Sequence, residues 1–310
     1  MRFKTTISNV PTFYRLVQTI EKLQKRFMIK FTETTMHIIC NSEANEGGIQ
    51  VWSQIKVPSL FSNYRIQSNS NNEITMVLSS SDLLGALRSA AANPSAAVSG
   101  GNGGANPAGG SGSGFETEEV VMKLVKKNNM GMVSFEIHGV TRVGRDVRVT
   151  HDVRVEVLKP SDVERIREPM CPEPDVTVLL PPLHKMRTIV ERLRPMSNIL
   201  AVKGNSSGLL QLSINTEAVK VDTEWRDCTN PKTQTEGEEE PEEERDPEEI
   251  YTVLISIRSF LKFLNIHSVS NTTIACICAH HCLILYVYIG EVADAGGVLT
   301  FYIPAIIDDE

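Results

Sequence analysis

Residues 146–180 constrain the fold more than any other stretch. Val147, Val149, Val153, Val155 and Val157 fall at a spacing of two, interrupted only by His151, with Arg148, Thr150, Asp152, Arg154 and Glu156 between them. That alternation predicts a long strand with one buried face. Pro160, Pro169, Pro172 and Pro174 follow within Lys159–Asp175. Prolines at that density fix φ and remove donors, which predicts an extended tether without a regular element. Val176–Leu180 predicts another strand, and Pro181-Pro182 stops it where a helical pattern begins. A chain with this middle completes one domain, crosses a tether and starts a second.

The 310 residues agree with two domains of about 150 residues each. The predicted division is 1–158, a connector at 159–175, and 176–310. Asn9 is placed to cap a first helix, with Pro11 in its first turn and Phe13, Leu16, Val17, Ile20 and Leu23 inward. Strands are predicted on either side of a loop at Asn41–Gly48, and Ser81 is placed to cap a second helix with Leu83, Leu84 and Leu87 inward. The pattern then recurs. Phe13, Leu16, Ile20 and Leu23 match Leu183, Met186, Val190 and Leu193 at a constant displacement of 170 positions. Leu83, Leu84 and Leu87 match Phe260, Leu261 and Leu264 at a displacement of 177. A repeat of domain length implies duplicated domains rather than a solenoid.

The net charge of −7 is unevenly spread. Glu236–Glu249 holds ten acids and one arginine, so the remainder carries about +2. Most of this run lies in a predicted insert at about 230–247. A second insert, at about 93–114, is almost wholly Gly, Ala, Ser, Asn and Pro. Neither can bury enough apolar surface to offset its ordering entropy, so both are expected to be disordered. No run of apolar residues is long enough to span a membrane, and Met1-Arg2-Phe3-Lys4 enters strand alternation without a secretory apolar region. The six scattered cysteines suggest a reducing compartment. Cys276, Cys278, His280, His281 and Cys282 superficially resemble metal ligands. No second ligand cluster accompanies them, and Ile274, Cys276 and Cys278 share one strand face, where cysteine acts as a small hydrophobe.

Motifs of catalysis are absent. The chain has no GxxxxGK[ST], GxSxG or HExxH, and the glycines of 100–114 do not lie between a strand and a helix. His151 and Asp152 are neighbours on a strand and point to opposite faces. No catalytic residue, metal or cofactor is expected. The helices offer a different signal. Arg15 and Lys22 lie opposite the first apolar stripe and recur as Lys185 and Arg192, again displaced by 170 positions. Solvated helix faces commonly carry charge, but a recurring basic stripe is also the footprint of a phosphate-contacting surface without base readout.

Specific segments add a family resemblance. Val149-Thr150-His151-Asp152-Val153-Arg154-Val155-Glu156-Val157, Pro172–Pro181 and Met186–Asn198 resemble the Hus-type subunit of the checkpoint sliding clamp, a relative of the proliferating-cell nuclear antigen. Met1–Lys4, Asn45–Trp52 and Phe301–Ala305 extend the resemblance over almost the whole chain. It implies an α+β sliding-clamp fold: two similar domains, antiparallel sheets outside and two helices each on the inner face. It implies a non-enzymatic subunit of a nuclear heterotrimer, the nine-one-one ring, which encircles double-stranded DNA and takes part in checkpoint signalling and repair. Two other clamp subunits, a clamp loader, and repair and checkpoint proteins are the implied partners. Arg15, Lys22, Lys25, Lys185, Arg192, Arg258 and Lys262 are the expected DNA-facing residues. By position in the family, subunit contacts fall on Val147–Val157, with Val149, His151, Val153 and Val155, and on Glu217–Glu224, with Val219, Val221 and Thr223. Val163, Ile166 and Met170 are the expected apolar residues of a connector groove. A homotrimeric replicative clamp and a DNA-processing nuclease are the alternatives.

Overall fold

A computed structural model describes residues 1–41, 48–91, 115–141, 143–231, 246–270, 272–290 and 295–306. The Gly/Ser-rich insert, most of the acidic insert and most of the loop at 41–48 lie outside these residues. The chain divides into two compact units. Unit 1 comprises Met1–His37 and Lys56–Arg165, and unit 2 comprises Ile38–Ile55 and Ile166–Glu310.

In chain order the first stretch runs β1 (Arg2–Ile7), α1 (Val10–Leu23), β2 (Arg26–Phe31), β3 (Thr35–Cys40), β4 (Gln50–Lys56), α2 (Val57–Leu60), β5 (Phe61–Gln67), β6 (Ile74–Ser79), α3 (Ser80–Ala91), β7 (Phe115–Lys127), β8 (Met130–Thr141) and β9 (Asp146–Val157). The remainder runs α4 (Pro160–Val163), β10 (Val176–Leu179), α5 (Leu183–Leu193), β11 (Ile199–Gly204), β12 (Leu210–Asn215), β13 (Lys220–Trp225), β14 (Tyr251–Ser256), α6 (Ile257–Leu264), β15 (Thr273–Cys278), β16 (Cys282–Ile289) and β17 (Gly297–Pro304). A 3₁₀ turn at Asn265–Ser268 extends α6.

The repeat is visible in the pairings. In unit 1, β1 pairs with β7, β2 with β6, and β7–β8–β9 form a meander, all antiparallel. In unit 2, β10 pairs with β15, β11 with β14, and β15–β16–β17 form the matching meander. Residues 38–55, expected in the first domain, fall in unit 2 because β4 continues that meander, pairing antiparallel with β17 from Gly297↔Ile55 to Tyr302↔Gln50.

Alternation places Phe3, Thr5 and Ile7 of β1 inward and leaves Arg2 and Lys4 exposed. The unit 1 core joins Phe13, Leu16, Val17 and Ile20 of α1 to Leu83, Leu84 and Leu87 of α3 and to a ring cluster. Phe3 and Phe31 lie 4.5 Å apart between ring centres, and Phe13 meets Phe61 edge-on at 5.7 Å. In unit 2, Met186 and Val190 of α5 are fully buried, as are Ile257, Phe263 and Leu264 of α6. Phe263 lies 5.7 Å from Phe260 and 5.2 Å from Phe301. These rings correct one expected inward face. The buried arc of α6 turns towards Phe263, leaving Leu261 half-buried at its rim.

Two other local expectations change. Asn9 caps α1 as expected, its Oδ1 accepting from the Thr12 amide at 3.2 Å, but α3 is capped two residues earlier than Ser81. Ser79 Oγ accepts from the Asp82 amide at 3.3 Å, and Ser81 lies inside the helix. The tether also contains a regular element. Pro160 sits at the start of the single turn α4, where a missing N–H is harmless, and the Val163 and Glu164 amides close it onto Lys159 and Pro160.

Candidate subunit and nucleic-acid interfaces

A strand with an unpaired edge presents a row of backbone donors and acceptors. Strand β9 pairs with β8 along Asp146–Val155, but on its other side only Val155–Val157 pair, with β6. Among the described residues, 146–154 therefore have one open edge. Among the described residues strand β13 pairs with β12 alone and ends the four-stranded sheet β13–β12–β11–β14.

The expected contact residues fall unevenly on these edges. Val153 and Val155 are buried, while Val149 and His151 are half-buried. His151 Nε2 is buried without a hydrogen-bond partner among the described residues. Val221 and Thr223 lie on β13, half-buried. Val219 does not: it is 40 % exposed in a turn that precedes the strand. The Thr216 amide and hydroxyl both donate to its carbonyl, at 2.9 and 3.0 Å, which delays the strand to Lys220.

The helical cations follow the amphipathic pattern. Arg15 and Lys22 of α1, and Lys185 and Arg192 of α5, are exposed, opposite the buried stripes. Lys25 is exposed just beyond α1, and Arg258 is exposed on α6. Lys262 is half-buried, so its charge reaches solvent from a shorter free stem. Lys22, Arg192 and Lys262 each occupy the last turn of a helix, where they also oppose the partial negative charge of its C-terminus. Arg187 is also on α5 but is held by Glu191 at 2.9 Å.

The connector is fastened within unit 2. Asp175 accepts from the Ala279 amide at 2.7 Å, and its own amide donates to Ile277. Tyr302 donates its hydroxyl to Glu168 at 2.8 Å. Burial, and then the Glu168 carboxylate, push the Tyr302 phenol upward. A cavity of about 530 Å³ opens here, lined by Met170, Cys171, Pro172, His281, Tyr302 and Pro304 among others. Met170 is fully exposed at its rim. Val163 and Ile166 are half-buried and do not line this cavity. Sequence reasoning missed Tyr302 and Cys171 because only the fold brings β17 beneath the connector.

Cys276, Cys278 and Cys282 form a buried cluster with Ile284, and Cys171 packs on it. All six cysteines are free thiols. Burial and the Cys282 sulfur push the Cys171 thiol up to about 12, so it behaves as a packing group rather than a thiolate. Among the described residues no group of three or more His, Cys, Asp or Glu is arranged to hold a metal. No helix among them is long and apolar enough to cross a membrane.

The class follows from the fold. The structure is similar to the proliferating cellular nuclear antigen of Entamoeba histolytica, with a TM-score of 0.66 at 10% identity, covering 98% of this chain and 99% of that one. The architecture is therefore that of a sliding clamp, an α+β fold of mostly antiparallel sheets. Within that class, the family model described as Hus1-like protein matches residues 1–307, and the chain belongs to that family. Checkpoint protein hus1 of Schizosaccharomyces pombe is 33% identical over 313 residues, covering 99% of this chain and all of the relative. The human checkpoint protein HUS1 is 28% identical, covering 95% of this chain and 94% of its own.

Proposed function

We propose that this chain is a non-catalytic subunit of a heterotrimeric ring that encircles duplex DNA and serves as a platform in DNA-damage checkpoint signalling and repair. The names of its relatives support the checkpoint role, and the clamp architecture supports the ring. The family is one of scaffolds rather than enzymes. The nucleus, where chromosomal DNA is kept, is the compartment that fits.

One observation carries the subunit reading. In element order, β17 is the counterpart of β9 and β13 is the counterpart of β4. The counterpart strands β17 and β4 pair antiparallel, whereas 146–154 of β9 and all of β13 each keep an open edge among the described residues. In a three-membered ring one neighbour would complete the pattern by laying its β13-like edge on β9, and the other by laying its β9-like edge on β13. The rows agree. Val178–Ala275–Leu285–Phe301–Val51 runs unbroken across five strands, while Thr5–Met122–Phe135–His151 stops after four. A subunit contact would cover His151 where β4 covers Phe301.

The exposed cations on α1 and α5 are the proposed DNA-facing set, together with Lys25, Arg258 and Lys262. A sliding ring needs attraction to phosphates without base readout, which flexible Lys and Arg supply. The cavity beneath the connector, with Met170 at its rim, is the proposed site for a partner peptide. A clamp loader and repair proteins are the proposed visitors to the ring.

Light scattering tests the assembly. The chain alone should not form a closed trimer, and mixing with the two other clamp subunits of its source should give a 1:1:1 complex. A stable homotrimer would favour the replicative-clamp alternative, and metal-dependent cleavage of DNA by the purified chain would favour a nuclease.

A further inference from the structure

The exposed face of the β5–β1–β7 sheet carries a charge arrangement that the clamp reading does not use. Lys4 of β1 lies directly opposite Arg65 of β5 on one side and directly opposite Lys123 of β7 on the other. Residues directly opposite in an antiparallel pair project to the same face with their Cβ atoms about 5 Å apart, and like charges there are destabilising. Arg2, two positions from Lys4, shares the face, and Arg2, Lys4 and Arg65 are all exposed. Neither β1 nor β5 contains an acidic residue. Among the described residues no ion pair reaches Arg2, Lys4 or Arg65, whereas Lys123 is held by Glu136 at 2.6 Å.

We propose that Arg65, Lys4 and Arg2 form a docking site for a short acidic peptide segment of a partner protein, lying across β5 and β1. A chain that leaves the Lys4–Arg65 pair on a solvent face without an acidic partner among the described residues accepts a stability cost that an anionic ligand would remove. The dimensions favour a peptide over DNA. The row from Arg65 to Lys123 spans two strand spacings, about 10 Å. Beyond it the same face turns mixed: Glu119 receives the Thr6 hydroxyl, and Glu136 and Asp152 hold Lys123 and Lys127. A duplex would bring phosphates against those carboxylates. A few side-chain carboxylates on an extended segment would meet only the cations. The site lies within unit 1 and does not depend on the ring being assembled.

The test uses the full chain, a fluorescein-labelled oligoglutamate peptide and a labelled DNA duplex, read by anisotropy at low salt. Wild-type protein should bind the peptide, and binding should weaken as salt rises. Lys4→Glu with Arg65→Glu should weaken it at least tenfold. Lys4→Gln with Arg65→Gln should also weaken it while raising Tm, because the like-charge contacts disappear. This second variant keeps the proposal falsifiable if the first folds poorly. Lys22→Glu with Arg192→Glu should leave peptide binding unchanged. Peptide affinity unaltered by both Lys4/Arg65 pairs would overturn the proposal. So would loss of duplex binding alone in those variants, or displacement of the peptide by inorganic phosphate at matched ionic strength.

Discussion

Reversing Lys22 and Arg192 to Glu separates the DNA-facing role of the helices from their stability. Both side chains are exposed, and neither makes an ion pair among the described residues, so reversal strands no buried partner. Each sits in the last turn of its helix. Losing a cation there costs about 0.3–1 kcal/mol, and an acid in its place costs a similar amount again, giving about 1–4 kcal/mol over both helices. Tm should therefore fall by several degrees without loss of the folded state. DNA binding should respond differently. Each neutralised phosphate contributes about 0.9 to the slope of log K against log salt. Two lost contacts should reduce that slope by about 1.8. Between 50 and 200 mM salt, that removes about a tenfold share of the salt sensitivity. The assay is retention of the assembled ring on closed circular DNA across that range, with Lys22→Gln and Arg192→Gln as the neutral control. An unchanged slope with a lowered Tm would assign these cations to the helix termini alone and refute the DNA-facing reading.

Other perturbations test local parts of the account. Gly139→Ala should destabilise unit 1 by about 1–3 kcal/mol in urea melts, because its Cβ would lie 2.1 Å from the Glu116 carbonyl oxygen beside a break in the β7–β8 register; an unchanged midpoint would contradict that packing. Met170→Glu should leave Tm unaltered, since Met170 is fully exposed, but should weaken binding of connector-directed peptides; normal binding would remove Met170 from the groove. Glu136 has its carboxyl held below the usual range, first by the Lys123 hydrogen bond, with Arg148 adding to it. That contribution is complete above the unfolded carboxylate pKa of about 4.3 and fades as pH falls through the lower folded value. Glu136→Gln should therefore lose stability at neutral pH and show a flatter acid limb, and an identical pH profile would sink the assignment.

The duplication was legible because it rests on periodicity. Core stripes at constant displacement survive in Leu183, Met186, Val190 and Leu193, all buried. Local chemistry was legible where one side chain acts on a near neighbour, as at Asn9. It failed where two neighbours compete for one role: Ser79 and Ser81 are both plausible caps, and only backbone geometry selects Ser79. It failed again where burial depends on a distant strand. Phe263 turns inward to meet Phe301, and Tyr302 reaches Glu168 beneath the connector; no window of sequence contains either pair. The candidate site divides in the same way. Exposed helical cations follow from a 3.6-residue period, whereas Val219, assigned by position, lies in the turn before β13, and Val163 and Ile166, picked as apolar residues of a polar connector, do not line the cavity beneath it.

The central claim is that two strand edges, open in the isolated chain, close when the ring assembles. Hydrogen exchange, followed peptide by peptide on the chain alone and in the assembled heterotrimer, tests it directly. In a twisted antiparallel strand about half of the amides face the open side. For the free chain, those of 146–154 and of Lys220–Trp225 should exchange quickly, while β16, paired on both sides, stays protected. Assembly should slow both edges together and leave β16 unchanged. If the heterotrimer forms and both edges exchange as fast as in the free chain, the subunit contacts lie elsewhere and the account fails.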